Sequence, residues 1–210
     1  MNIILIFLSS ALCYLFTSKL YSRLVVNYPK YAMDKSEYIR YVGILINIVL
    51  QLTFFNKLVN LNFADSSMLE KIFIFICFIS IILISSCMAI ASVVDIATYE
   101  LPDETSLIIL LCMIPISLYL YSGKSLLTGI AIFLIYFILA ISTNSFGMGD
   151  VKLALALGIG IKFSMLFKFI FLSFLLAAIF ILFKFVSKKG DLKTEIAFGP
   201  YIALSFILLF

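Results

Sequence analysis

Apolar and polar positions alternate along this chain in long blocks. Uninterrupted apolar stretches of about one helix length are separated by short polar segments carrying most of the charge. A membrane-crossing helix needs about 20 mostly apolar residues. By that measure the chain holds eight candidate spans, at about 3–16, 42–55, 72–94, 106–121, 126–143, 153–161, 169–183 and 196–210. The third carries no charged residue, and the sixth is short and glycine-bearing. The first lacks the basic start and small-residue cleavage site of a secretory signal, so it reads as a retained span. The expected fold is all-α, a polytopic transmembrane bundle of about eight spans. No internal repeat and no low-complexity linker interrupts it. The longest polar stretches, 18–40 and 187–195, are too short for a separate core.

Composition turns that pattern into a class. Of the 210 residues 64% are hydrophobic and 12% charged, against about 45–50% and 25% in soluble domains. Lipid must therefore be much of the solvent. Trp is absent, so Tyr supplies most of any interfacial aromatic belt. The net charge of +4 comes from basic residues between apolar stretches, which argues for orientation signals rather than nucleic-acid binding. With the amino terminus outside and eight spans, ten Lys and Arg fall inside and five outside: Lys19, Arg23, Lys30, Lys35, Arg40, Lys152, Lys184, Lys188, Lys189 and Lys193 against Lys57, Lys71, Lys124, Lys162 and Lys168. The rule thus favours this orientation, and it places Asp95 and Asp150 at the same, cytoplasmic, leaflet.

Histidine is absent. That excludes Ser-His and Cys-His nucleophile pairs, His-ligated zinc and the H-E-x-x-H metal site. Cys13, Cys77, Cys87 and Cys112 lie in apolar stretches without a C-x-x-C pair, and read as packing residues. Acid–base chemistry would fall to Asp, Glu, Lys, Tyr or Cys.

Two carboxylates stand out. Asp95 follows the third span in Val93-Val94-Asp95-Ile96, and alone it also reads as a span terminator. Asp150 closes Gly147-Met148-Gly149-Asp150 ahead of an apolar run. Glycines allow close approach and tight helix contact, although the same four residues also suit a turn with an acid at a helix start. The pair says more than either member. One ionised carboxylate can take a proton from water while a protonated partner polarises a carbonyl, and close carboxylates share one proton. Asp103 reads as a helix cap after Pro102. Glu100 and Glu104 read as solvated loop acids able to attract a basic segment. Lys152 reads as a membrane anchor or a group that helps keep Asp150 ionised. Phe198-Gly199-Pro200 reads as a helix break or kink near the site, Pro200 lacking an amide donor.

Three blocks occur in order: Asp95 with Leu101-Pro102-Asp103, then Gly147-Met148-Gly149-Asp150-Val151-Lys152-Leu153, then Ile196-Ala197-Phe198-Gly199-Pro200-Tyr201. Together they resemble the type IV prepilin leader peptidases, of the G-x-G-D class of intramembrane aspartic proteases. The resemblance spans about 72–210. It implies a presenilin-like six-helix peptidase domain there, with 1–71 holding spans one and two. It implies Asp95 and Asp150 as the catalytic pair, and Gly147, Gly149, Lys152, Phe198, Gly199 and Pro200 as substrate-binding or site-shaping residues. The implied substrates are prepilin or pseudopilin precursors, including those of a competence DNA-uptake apparatus. They would be cut at the cytoplasmic face of the cell membrane, with no metal and no cofactor for peptide cleavage. Many members carry a cytoplasmic insert with two C-x-x-C pairs, linked to methylation of the new amino terminus. Here the corresponding region, about 25–40, is short and lacks cysteine. S-adenosylmethionine is therefore implied only if methyl transfer accompanies cleavage. The partners are the precursor and the lipid bilayer. The alternatives are a proton- or ion-coupled transporter using intramembrane carboxylates, a non-catalytic scaffold, and a G-x-G-D protease acting on a different substrate.

Overall fold

The computed structural model describes residues 3–32, 36–59, 67–143, 147–186 and 196–210. Of the positions read above, Lys35, Lys188, Lys189, Lys193 and the stretch 187–195 lie outside the described residues. The described chain forms eight α-helices: α1 Ile3–Asn27, α2 Ser36–Val59, α3 Met68–Thr98, α4 Asp103–Tyr121, α5 Ser125–Thr143, α6 Met148–Gly158, α7 Leu166–Val186 and α8 Gly199–Leu209. Short 3₁₀ turns occupy Pro29–Tyr31 and Phe163–Met165, and no strand occurs among the described residues. One helix thus answers to each expected apolar segment, and the fold is an all-α helical bundle. Five helical segments are long and apolar enough to cross a membrane, those of α2, α3, α4, α5 and α7.

Several boundaries move, each for a local reason. The first helix runs on to Asn27 because Tyr21 and Leu24 keep burying one face while Lys19 and Arg23 point outward. The third extends at both ends. Ser67 and Glu70 form a reciprocal capping box at its start. At its end Tyr99 turns into the left-handed region (φ 56°), its N–H still donating to the Asp95 carbonyl at 2.8 Å. Asp95 is therefore a residue of the last helical turn, not a terminator. The sixth helix begins at Met148, so the residues before its apolar run are already helical.

The centre of the bundle is α3, which packs against α1, α2, α4 and α8. Its mid-section carries Ser85, Ser86, Ala89 and Ala91, all buried. Small side chains let helices approach in an apolar medium. The hydroxyls of Ser85 and Ser86 donate back to the carbonyls of Ile81 and Ile82 at 2.6 and 2.9 Å, so neither is left unpaired. The Cys13 thiol sits 3.4 Å from the Ser86 hydroxyl, joining α1 to α3. Asn47 of α2 donates to the Ser9 hydroxyl of α1 at 3.2 Å.

What fixes α6 is a glycine seam with α5. A Cβ on Gly129 would stand 2.5 Å from Ile159 Cγ1 and 3.1 Å from two backbone atoms. A Cβ on Gly158 would stand 2.8 Å from Ile132 Cδ1 and 3.1 Å from the Gly129 Cα. Two helices approach this closely only where both lack side chains. Overpacking of this kind costs about 1–3 kcal/mol. Gly129→Ala and Gly158→Ala should each lower stability by about that much in denaturant titrations of the detergent-solubilised protein. A midpoint unchanged in both variants would show the seam to be slack.

Candidate active site

The two aspartates reach one place from different elements. Asp95 sits on the last turn of α3, and Asp150 is the third residue of α6, after Gly147 at the cap position. Both are buried, at 4% and 9% exposure. Both line a single cavity of about 420 Å³, together with Tyr99, Leu101, Gly147 and Gly149.

The third motif block completes the arrangement from behind. Phe198 caps α8, Gly199 is its first residue, and Pro200 occupies the first turn. Pro200 therefore starts a helix and does not kink one. Its missing N–H costs nothing there, since the first amides of a helix have no intrahelical partner. The free amide of Gly199 donates instead to Asp95 Oδ2 at 2.8 Å. Residue 199 must be small for this contact. A Cβ would lie 2.9 Å from Asp95 Oδ2 and 3.0 Å from Leu101 Cδ2. Gly149 meets the same leucine, with a Cβ reaching 2.8 Å from Leu101 Cβ. Gly147 is different. Its Cβ would meet nothing closer than Asp150 Oδ2 at 3.5 Å, and its φ of −70° suits any residue.

Neither Phe198 nor Pro200 lines the aspartate cavity. The Phe198 ring lies within 5.2 Å of Phe174 and 6.3 Å of Tyr136 and Tyr201, centroid to centroid. Tyr136 is itself pinned to Ser173 at 2.5 Å. The aromatic cluster thus seats the turn that delivers the Gly199 amide. Pro200 lines a separate apolar cavity with Ile96, Tyr99 and Phe180. Tyr99 borders both cavities.

The rim departs from the sequence reading. Lys152 does not reach Asp150. Its ammonium bonds both carboxylate oxygens of Asp103 at 2.8 Å, tying the start of α4 to α6. Asp103 accordingly makes no side-chain cap for α4, whose cap residue is Pro102. Glu100 is not a free loop acid, being paired with Lys30 and accepting from the Tyr31 hydroxyl at 3.3 Å. The Pro29–Tyr31 turn is thereby drawn over the cavity, and Tyr28 and Tyr31 join its lining. Sequence reasoning missed Leu101 as a wedge, and Tyr28 and Tyr31 altogether. Pro29 marks a turn there, but nothing local says where that turn docks.

Asp150 precedes the apolar run of α6 and lies outside the five long spans. Burial pushes its carboxyl up to about 7, the nearby charge of Asp95 adds to the rise, and the Gly147 amide opposes it. Its Oδ1 is buried without a hydrogen-bond partner among the described residues. The Gly147 amide that serves Asp150 belongs to its own helix start, whereas Asp95 accepts from the Gly199 amide, a donor brought by another helix. The arrangement therefore suits an unequal pair, with the proton on Asp150.

A family model described as the type IV leader peptidase family matches residues 82–182, a segment that includes both aspartates. No curated protein and no solved structure matches the chain.

The glycine geometry separates two residues of one motif. Gly199→Ala should cut peptide cleavage by about 10²-fold, the scale of an ångström-sized misplacement at a reacting group. Gly149→Ala should act in the same direction. Gly147→Ala should stay within about twofold of wild type, since its Cβ meets only an ordinary contact. The assay is initial cleavage rate at equal amounts of folded protein, and equal losses at 147 and 199 would contradict the steric account.

Proposed function

We propose that this chain, which belongs to the type IV leader peptidase family over residues 82–182, is an aspartic endopeptidase using Asp95 and Asp150. The observation that carries the proposal is the shared cavity, with two buried carboxylates in it and a backbone amide fixed on one of them. The substrate in this reading is a prepilin-like precursor with a short basic leader. It is processed at the cytoplasmic face of a multi-pass protein in the cell membrane. The excess of Lys and Arg on the side of both aspartates supports that face. Glu104 at the cavity rim supplies negative charge toward a basic leader, and Glu100 and Asp103 do so on exchanging their lysine partners for it.

The chemistry needs only this pair and water. Asp95, ionised and held by the Gly199 amide, takes a proton from water as the oxygen attacks the scissile carbonyl carbon. Asp150 gives its proton to the carbonyl oxygen, forming a neutral gem-diol. Collapse of that diol breaks the C–N bond: Asp95 returns its proton to the leaving amine, and Asp150 recovers one from the diol hydroxyl. The pair ends as it began, with one proton between two carboxylates. The match to a peptidase family favours this reading over a transporter, and all three motif blocks converge on the cavity wall or directly behind it.

Asp95→Asn and Asp150→Asn should each reduce processing of a co-expressed pilin-like precursor below about a thousandth of wild type, with membrane insertion and helix content unchanged. Mass spectrometry of the precursor's new amino terminus reads cleavage, its position and any methyl group from S-adenosylmethionine together. Normal processing by both variants would overturn the assignment. The pH profile gives a second check. A raised carboxyl keeps its proton below about pH 7 and loses it as pH rises through that value, so the singly protonated pair is depleted on the alkaline side. Cleavage should fall about tenfold between roughly pH 7 and pH 8.5. A rate constant across that range would argue against a shared proton.

A further inference from the structure

Away from the aspartates, a third cavity, of about 670 Å³, lies between α1 and α2. Its walls are apolar for most of their length: Phe7, Ala11 and Leu15 on α1, Ile44 and Ile48 on α2. Phe7 is 73% and Leu15 62% exposed, so the groove opens away from the bundle, toward lipid. Tyr14 closes one end of it. Arg40 precedes Ile44 and Ile48 at four-residue intervals and so extends the same helical stripe by one turn. Its Nη1 donates to the Tyr14 hydroxyl at 2.9 Å, and the guanidinium lies 5.3 Å from the centre of the Tyr14 ring.

That contact uses one of five guanidinium donors. Among the described residues Arg40 has no carboxylate partner; the ion pairs there join Lys30 to Glu100 and Lys152 to Asp103. Arg40 lies about 6 Å along α2 from its first residue, a depth suited to the headgroup layer. The Phe7–Ile48 end of the groove lies about 12 Å deeper. A half-buried cation above an open apolar slot is complementary to one kind of ligand, an anionic head joined to an apolar chain.

From this geometry we infer that the α1–α2 groove is a binding site for an anionic phospholipid. Its phosphate meets the free face of Arg40 and the Tyr14 hydroxyl, and one acyl chain lies along Ala11, Ile44 and Ile48. Basic residues between membrane helices near the bilayer surface hold such headgroups. The site is independent of the aspartate cavity, since none of its residues lines that cavity.

The test is native mass spectrometry of the full-length protein titrated with phosphatidylglycerol, and separately with phosphatidylcholine of identical chains. Wild type should retain phosphatidylglycerol at least about tenfold more strongly than phosphatidylcholine. Arg40→Gln should remove most of that preference, and Ala11→Trp, which fills the slot, should lower retention of the lipid itself. Both variants should keep wild-type thermal unfolding and cleavage rate, separating lost lipid from lost fold. Equal retention of the two lipids by wild type would overturn the inference, as would undiminished phosphatidylglycerol preference in both variants. A dimer that Ala11→Trp converts to monomer with lipid retention unchanged would assign the groove to a second copy and overturn it also.

Discussion

The hydrogen bond from the Gly199 amide to Asp95 ties together segments that the sequence keeps 104 residues apart. It uses a donor that every helix leaves over at its start, so the bond makes use of an amide that would otherwise need another partner. It also requires that residue 199 have no side chain, and that Leu101 fit between Gly199 and Gly149. Through that leucine the end of α3, the entry to α4 and the starts of α6 and α8 share one small volume. Changing any of the four moves the others. Phe198 transmits the same dependence outward, because its ring is held by Phe174 and Tyr136, and Tyr136 is bonded to Ser173 on α7.

Distant packing serves this point too. The Gly129–Gly158 contact sets how near α6 comes to α5, and so where Asp150 stands. Along α3 the serines satisfy their own hydroxyls, which leaves the central helix free to pack closely without unpaired groups in an apolar surrounding. The rim is built differently. Lys30–Glu100 and Lys152–Asp103 are about half exposed, and pairs of that kind contribute only about 0–1 kcal/mol each. They set the shape of the mouth more than they hold the fold. A charged segment arriving at the mouth can exchange with them at little cost.

The sequence made some of this readable and left the rest to packing. Apolar blocks declared the eight helices because a helix in lipid must be apolar along most of its length. Asp95 and Asp150 stood out only as a pair, because the charge rule puts both at one leaflet and two glycines lead into Asp150. Glycines before Asp150 signalled close approach, but not that Gly149 is the crowded one and Gly147 the free one; that depends on Leu101, whose position is set by the α3–α4 turn. Pro200 could be read as a kink or a start, since proline breaks the preceding helix and fits the first turn of the next equally well. Lys152 lies two residues from Asp150, and neighbours at that spacing on a helix do not face one another. That alone should have directed it elsewhere, and it pairs with Asp103. Tyr28 and Tyr31 lie in a turn with no periodic pattern, so only the tertiary fold brings them to the cavity.

The two carboxylates also explain why burial here is unequal in its effects. Each stands by a helix start, Asp150 within that of α6 and Asp95 facing that of α8, and such positions favour negative charge. Burial opposes charge at both. Only Asp95 gains a fixed donor from another helix, whereas Asp150 keeps a buried oxygen without one. A buried carboxylate oxygen without a partner costs about 1–3 kcal/mol as a rule, and protonation lowers that cost by removing the charge. The donor on Asp95 and the bare oxygen on Asp150 therefore push a single proton toward Asp150 before any substrate arrives. In the proposed reaction this matters more than proximity alone, because two equivalent acids would have to choose their roles during the step, whereas here the helix geometry has already assigned them.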